Sequence, residues 1–167
     1  MTLAKDWPLS SLNREWLELS TRTAITAVTS LLVAHWLRLP QAYWAPITAI
    51  VVMQSTVGAA LKASGQRLAG TALGAAAGAL LFVCFGSSII AFTLGIFVLG
   101  LLSAALHMDR SAYRFAGITV AIVMLTAAAA PAWSIALHRF LEVSVGILVG
   151  LLVTVAWPER TNQDASK

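Results

Sequence analysis

In 167 residues the chain carries 59% hydrophobic and only 11% charged residues, with a formal net charge of +4. A soluble chain of this length cannot hide that much apolar surface, whereas a bilayer solvates it directly. The basic residues are scattered between apolar runs and form no patch, so nucleic acid is not an expected partner.

The single Cys84 lies inside an apolar run, which leaves no disulfide framework and no cysteine metal site within one chain. Mixed polar residues precede the first apolar run without a small-residue cleavage site, so a cleavable signal peptide is not expected. Ser10 to Ser20 places Leu12, Trp16 and Leu19 on one face and Arg14, Glu15 and Glu18 on the other. Two readings stand for it: an interfacial segment, or a plain cytoplasmic extension of the first helix.

Six apolar runs follow, at 23–39, 42–61, 68–85, 88–106, 112–132 and 140–157. Each is near the ~20 residues that span ~30 Å of hydrocarbon at ~1.5 Å per residue. The predicted connections are 40–41, 62–66, 86–87, 107–111 and 131–139, all short, so consecutive helices are expected to be antiparallel neighbours. The expected architecture is all-α and polytopic: a juxtamembrane segment at 1–22, a six-helix transmembrane domain at 23–157, and a polar tail at 158–167 after Pro158. With the N-terminus inside, Lys5, Arg14, Arg22, Lys62, Arg67, Arg110, Arg114, Arg160 and Lys167 fall on the inner side, and Arg38 and Arg139 on the outer. That bias predicts an inner-membrane protein with both termini cytoplasmic.

The chain nearly repeats itself at a spacing of 71–72 residues. Ile47-Thr48-Ala49-Ile50-Val51-Val52-Met53 matches Ile118-Thr119-Val120-Ala121-Ile122-Val123-Met124, and Arg67, Gly74 and Gly78 match Arg139, Gly146 and Gly150. Three helices per unit is an odd number, so units at about 23–86 and 88–157 are expected to be inverted, related by a pseudo-two-fold axis in the membrane plane.

Gly70, Gly74 and Gly78 form one small-residue stripe and Gly146 and Gly150 another, which lets helix backbones approach closely. Arg67 and Arg139 continue these stripes and are expected to face the bundle. Each either snorkels to headgroups from a helix end or presents a planar fork to an anion. Placed by the predicted connections, they stand at opposite mouths of the bundle, with no charged residue at mid-membrane. Tyr43 and Trp44 read as interfacial anchors, and Pro46 fits a first helical turn. Gln54, the most polar side chain well inside a predicted span, lines a cavity or binds a neighbouring helix. Glu142, three residues after Arg139, reads as its local ion-pair partner. His35 reads as an interfacial histidine. No zinc-protease motif, phosphate loop or nucleophilic triad is present, so neither an enzyme nor a metal or cofactor is expected.

The run Tyr43-Trp44-Ala45-Pro46-Ile47-Thr48-Ala49-Ile50-Val51-Val52-Met53-Gln54, then Gly58, then Gln66-Arg67-Leu68-Ala69-Gly70-Thr71-Ala72-Leu73-Gly74, resembles the fusaric-acid-resistance-like membrane proteins. These are grouped with the aromatic acid exporters and, more distantly, the plant malate channels. The resemblance implies export of aromatic or other organic anions, with Trp44, Thr48, Gln54, Arg67 and Thr71 as matched candidates for the path. Many members carry two six-helix units plus soluble domains, so this single unit is expected to form a homodimer or to pair with another transporter subunit. The rival expectation is a membrane accessory subunit that docks partners and transports nothing.

Overall fold

The computed structural model describes residues 14–54, 56–127 and 131–157. Among them are six helices and no strand: α1 (Arg14–Trp36), α2 (Trp44–Val52), α3 (Val57–Phe85), α4 (Ile89–Ala105), α5 (Arg110–Thr126) and α6 (Ala132–Ala156). From residue 14 the juxtamembrane segment continues into α1 as one helix; 1–13 and the tail at 158–167 lie outside the described residues.

The helices bury small and polar residues and expose large apolar ones. On α1, Arg22, Thr26, Ser30 and Ala34 recur every four residues on the buried face, while Ile25, Val28, Leu32 and Trp36 are exposed. On α4, Ala91, Gly95, Leu99 and Ser103 are buried, and Ile90, Leu94, Phe97 and Leu101 point outward. In water each exposed aliphatic side chain would forfeit about 1.5–3 kcal/mol of burial. In lipid nothing drives it inward, and small residues win the interior because they let backbones close up. α3 and α6 are also long and apolar enough to cross a membrane by length and composition alone. The exterior is that of a membrane protein.

Two predicted connections fall elsewhere. The run 42–61 is not one helix: α2 stops at Val52 after nine residues, and Met53 turns extended. Thr56 then caps α3, its hydroxyl accepting from the Ala59 N–H at 3.3 Å. Residues 62–66, expected as a loop, are therefore the second and third turns of α3. Likewise α6 starts at Ala132, directly after Pro131, so 132–139 is helix. A helix starts where a cap satisfies its first amides, and hydropathy does not see that.

α1 and α4 end in the same motif. Leu39 N–H donates to Ala34 O (3.1 Å) and Arg38 N–H to His35 O (2.9 Å); Met108 N–H donates to Ser103 O (2.9 Å) and His107 N–H to Ala104 O (3.0 Å). Arg38 (φ 54°) and His107 (φ 52°) hold the left-handed position that glycine usually takes at such an end.

The glycine stripes are used inside the chain, and they fix helix directions. On α3, Gly70 abuts Ala112, Gly74 abuts Ala116, and Gly78 abuts Val120 and Val123 of α5. Both numbers rise together, so α3 and α5 run parallel. On α6, Gly146 abuts Ala45 and Thr48, and Gly150 abuts Ala49 of α2, again in parallel. Ala75, with Ala79 and Phe82 beside it, shares a cluster with Ala132 and Ala136, whereas Arg67 reaches Thr48 beside Gly146, so α3 and α6 run antiparallel. The α3–α5 and α6–α2 contacts are counterparts: Gly74 on Ala116 corresponds to Gly146 on Ala45, and Gly78 on Val120 to Gly150 on Ala49, each pair offset by 71–72 residues.

Candidate functional site

α2 is the short element at the centre of the site. Its buried face is Ala45, Thr48, Ala49 and Val52, with Trp44 half-buried at its start. Trp44 and Thr48 are one turn, ~6 Å, apart. The Arg139 guanidinium carbon lies 3.7 Å from the centroid of the Trp44 ring. Arg67 donates from Nη2 to Thr48 Oγ1 at 3.3 Å and places its guanidinium carbon 4.4 Å from the Phe115 centroid. Both arginines thus converge on one turn of α2. They do not occupy opposite mouths, because the helices start earlier than hydropathy suggests. Arg67 lies ten residues, ~15 Å, into α3, and Arg139 seven residues, ~10 Å, into α6. They face the bundle as expected, with Arg67 5% and Arg139 3% exposed. Ionisable side chains therefore sit several turns inside the long apolar helices α3 and α6.

Glu142, 1% exposed, pairs with Arg139 (Oε2 to Nη1, 3.4 Å), bearing out the expected ion pair. Its other oxygen, Oε1, accepts the Gln41 backbone N–H at 2.8 Å. The site therefore draws on the α1–α2 connection as well as on α2, α3, α5 and α6. Among the described residues three buried donors in it have no hydrogen-bond partner: Arg67 Nε, Arg139 Nη2 and Trp44 Nε1. The aromatic faces offset part of that cost, at about 2 kcal/mol for a desolvated cation–π contact. Each unmade hydrogen bond costs about 1–3 kcal/mol.

Thr48 is fully buried and in the site; Thr71 is buried on α3, one turn beyond Arg67. The Gln54 side chain is exposed and bonds back to Val51 O at 3.3 Å, so it neither lines the site nor grips another helix. Its backbone has the structural role, accepting from Arg22 Nη2 at 3.0 Å, while the same nitrogen also donates to Thr154 Oγ1 at 3.2 Å. Arg22, 1% exposed and in the sequence one cytoplasmic charge among several, holds the α2–α3 break against α1 and α6. Its place on the Arg22-Thr26-Ser30 stripe was the available signal. Thr119 is the counterpart of Thr48, buried on α5 and bonded to Phe115 O at 2.9 Å. His35 is exposed and Cys84 is exposed on the last turns of α3. No cluster able to hold a metal ion occurs among the described residues.

The chain is similar to the uncharacterized transporter YdhK of Escherichia coli strain K12, with 34% identity over 153 residues that cover 86% of this chain and 23% of that protein. It is also similar to the protein of the same name from Salmonella typhimurium strain LT2, at 29% over 153 residues, 86% of this chain and 22% of the other. The chain thus spans less than a quarter of the length of these relatives. No solved structure matches it. The fusaric acid resistance protein-like family matches residues 27–153, most of the helical bundle, and the chain belongs to that family.

Proposed function

We propose that this chain is a transport unit for small organic anions, aromatic carboxylates among them, embedded in the inner membrane by six helices in two inverted three-helix repeats. The observation that carries the reading is Arg67. It is a buried cation whose partners are a neutral hydroxyl and an aromatic ring, with no carboxylate on it among the described residues. An isolated buried charge is expensive unless something compensates it. An organic anion does so, its carboxylate meeting the planar fork and its ring lying among Trp44 and Phe115.

The inverted arrangement is supported by the contacts. The repeat maps α2 onto α5 and α3 onto α6. The α3–α6 pair is antiparallel, and the parallel α3–α5 and α2–α6 contacts exchange under the same mapping. Arg67 over Phe115 and Arg139 over Trp44 exchange likewise. Among exposed basic residues, Lys62, Arg110 and Arg114 lie towards the end where α3 and α5 begin, and Arg38 lies on the α1–α2 connection. This favours cytoplasmic termini. The site works beside a second six-helix unit, either another copy or a partner. The glycine stripes are spent inside the chain, so that docking uses other surface.

The test is flux in liposomes across a panel of aromatic carboxylates, for wild type and for Arg67→Gln at equal insertion. Flux that falls in the variant supports the reading. An absence of flux for every anion, with the protein folded and inserted, favours the accessory-subunit alternative.

A further inference from the structure

Charge counting at the site says which anions it takes. Two guanidinium groups, Arg67 and Arg139, converge on one turn of α2, and a single carboxylate, Glu142, accompanies them. Glu142 is fixed in place: Arg139 holds one of its oxygens and the Gln41 N–H the other. Arg139 is thereby neutralised by the chain itself, and among the described residues Arg67 has only neutral partners, Thr48 and Phe115. The third buried arginine, Arg22, is engaged with Gln54 and Thr154, about three turns of α6 beyond Glu142. His138, one turn before Glu142 on α6, is half-buried and hydrogen-bonded to Ser134.

We propose that Glu142 is a built-in counter-anion that sets the valence of the ligand, so that the site accepts a monocarboxylate at Arg67 and rejects a dicarboxylate. This rests on the organic-anion reading above and names its substrate class. A monoanion brings the Arg67, Arg139 and Glu142 cluster to neutrality. A dianion leaves one negative charge uncompensated in a medium of low dielectric, with Glu142 already on the second guanidinium. Removing the Glu142 charge opens Arg139, whose Nη2 is a buried donor without a partner, to a second ligand carboxylate.

The experiment compares benzoate with isophthalate, the same ring with one or two carboxylates, by calorimetric titration of the protein in nanodiscs at a single pH of about 8, where both are fully ionised. Wild type should prefer benzoate by about tenfold or more, the scale of one charge-assisted hydrogen bond. Glu142→Gln keeps an acceptor for the Gln41 N–H and should shift the ratio by about tenfold or more toward isophthalate. The double variant Arg139→Gln with Glu142→Gln restores the wild-type charge count. It should restore the benzoate preference, whatever its absolute affinity. A merely structural Glu142 would lower both affinities together and leave the ratio alone. A wild-type ratio near one, or an unchanged ratio in Glu142→Gln, overturns the valence proposal; if that variant fails to fold, the wild-type ratio decides. These outcomes leave the anion site standing as long as benzoate binds and Arg67→Gln abolishes it. If benzoate does not bind wild type, or binds Arg67→Gln equally well, the anion-site reading itself fails.

Discussion

The Arg139 guanidinium lies over the indole of Trp44, 3.7 Å from the ring centroid, although 95 residues separate them in the chain. Its counterpart is Arg67 over Phe115 at 4.4 Å. In each pair a long apolar helix delivers the arginine and a shorter neighbour delivers the ring. Each pair is also continued by glycines that bring the two backbones together. The stacking desolvates both cations and holds them facing inward, where a carboxylate is the chemical complement.

Arg67→Gln should reduce organic-anion flux by about tenfold to a hundredfold, the equivalent of one charged hydrogen bond. Arg67→Lys should retain part of it, because the charge remains while the bidentate fork is lost. Flux per folded protein in liposomes measures this. Equal flux in wild type and Arg67→Gln would remove the residue from the path.

Glycine substitutions should divide along the packing. A Cβ at Gly74 would stand 2.8 Å from Ala116 Cα, and one at Gly146 would stand 2.7 Å from Thr48 Cβ. Alanine at either position should cost about 1–3 kcal/mol. Gly65, on the same helix as Gly74, has nothing within 4 Å of its Cβ position. Gly65→Ala should be neutral or stabilising by up to about 1 kcal/mol. Denaturation in detergent, followed by circular dichroism, compares them. A destabilised Gly65→Ala beside a tolerated Gly74→Ala would contradict this packing.

His107 and Gly86, both at positive φ, predict changes of opposite sign. His107→Gly should stabilise the end of α4 by about 1 kcal/mol, since glycine adopts φ 52° without the Cβ penalty. Gly86, at φ 63° and ψ −150°, closes α3 in a region that other residues scarcely enter. Gly86→Ala should cost about 1–3 kcal/mol. Thermal unfolding of both variants in one detergent gives the comparison.

The six-span arrangement can be tested with single cysteines in a Cys84→Ser background. Arg38→Cys should react with a membrane-impermeant maleimide added outside intact cells. Lys62→Cys and Arg110→Cys should react only after permeabilisation, the outcome expected from the charge bias under the proposed orientation. Outside labelling of Lys62→Cys would refute the orientation.

Composition and periodicity by themselves determined the solvent and the fold class. A chain with 59% hydrophobic and 11% charged residues, in runs of helical length, has one economical solution, an all-helical bundle with its apolar side chains outward. Local spacing also put Arg67 and Arg139 on the glycine faces, and paired Arg139 with Glu142, because residues three and four apart share a face of any helix. Tertiary structure decided where the helices begin, and therefore how deep the charges lie. Thr56 caps α3 and Arg22 takes the Gln54 carbonyl, so α2 ends at Val52 and Arg67 becomes a mid-helix residue instead of a loop-edge one. It likewise decided that both arginines meet at Trp44 and Thr48, that Gln54 offers its backbone carbonyl to Arg22 away from that site, and that Glu142 reaches back to Gln41. Hydropathy sums over a window and carries no record of which backbone group finds which partner. The long-range pairings among them span 19 to 101 residues of sequence and exist only once the helices have packed.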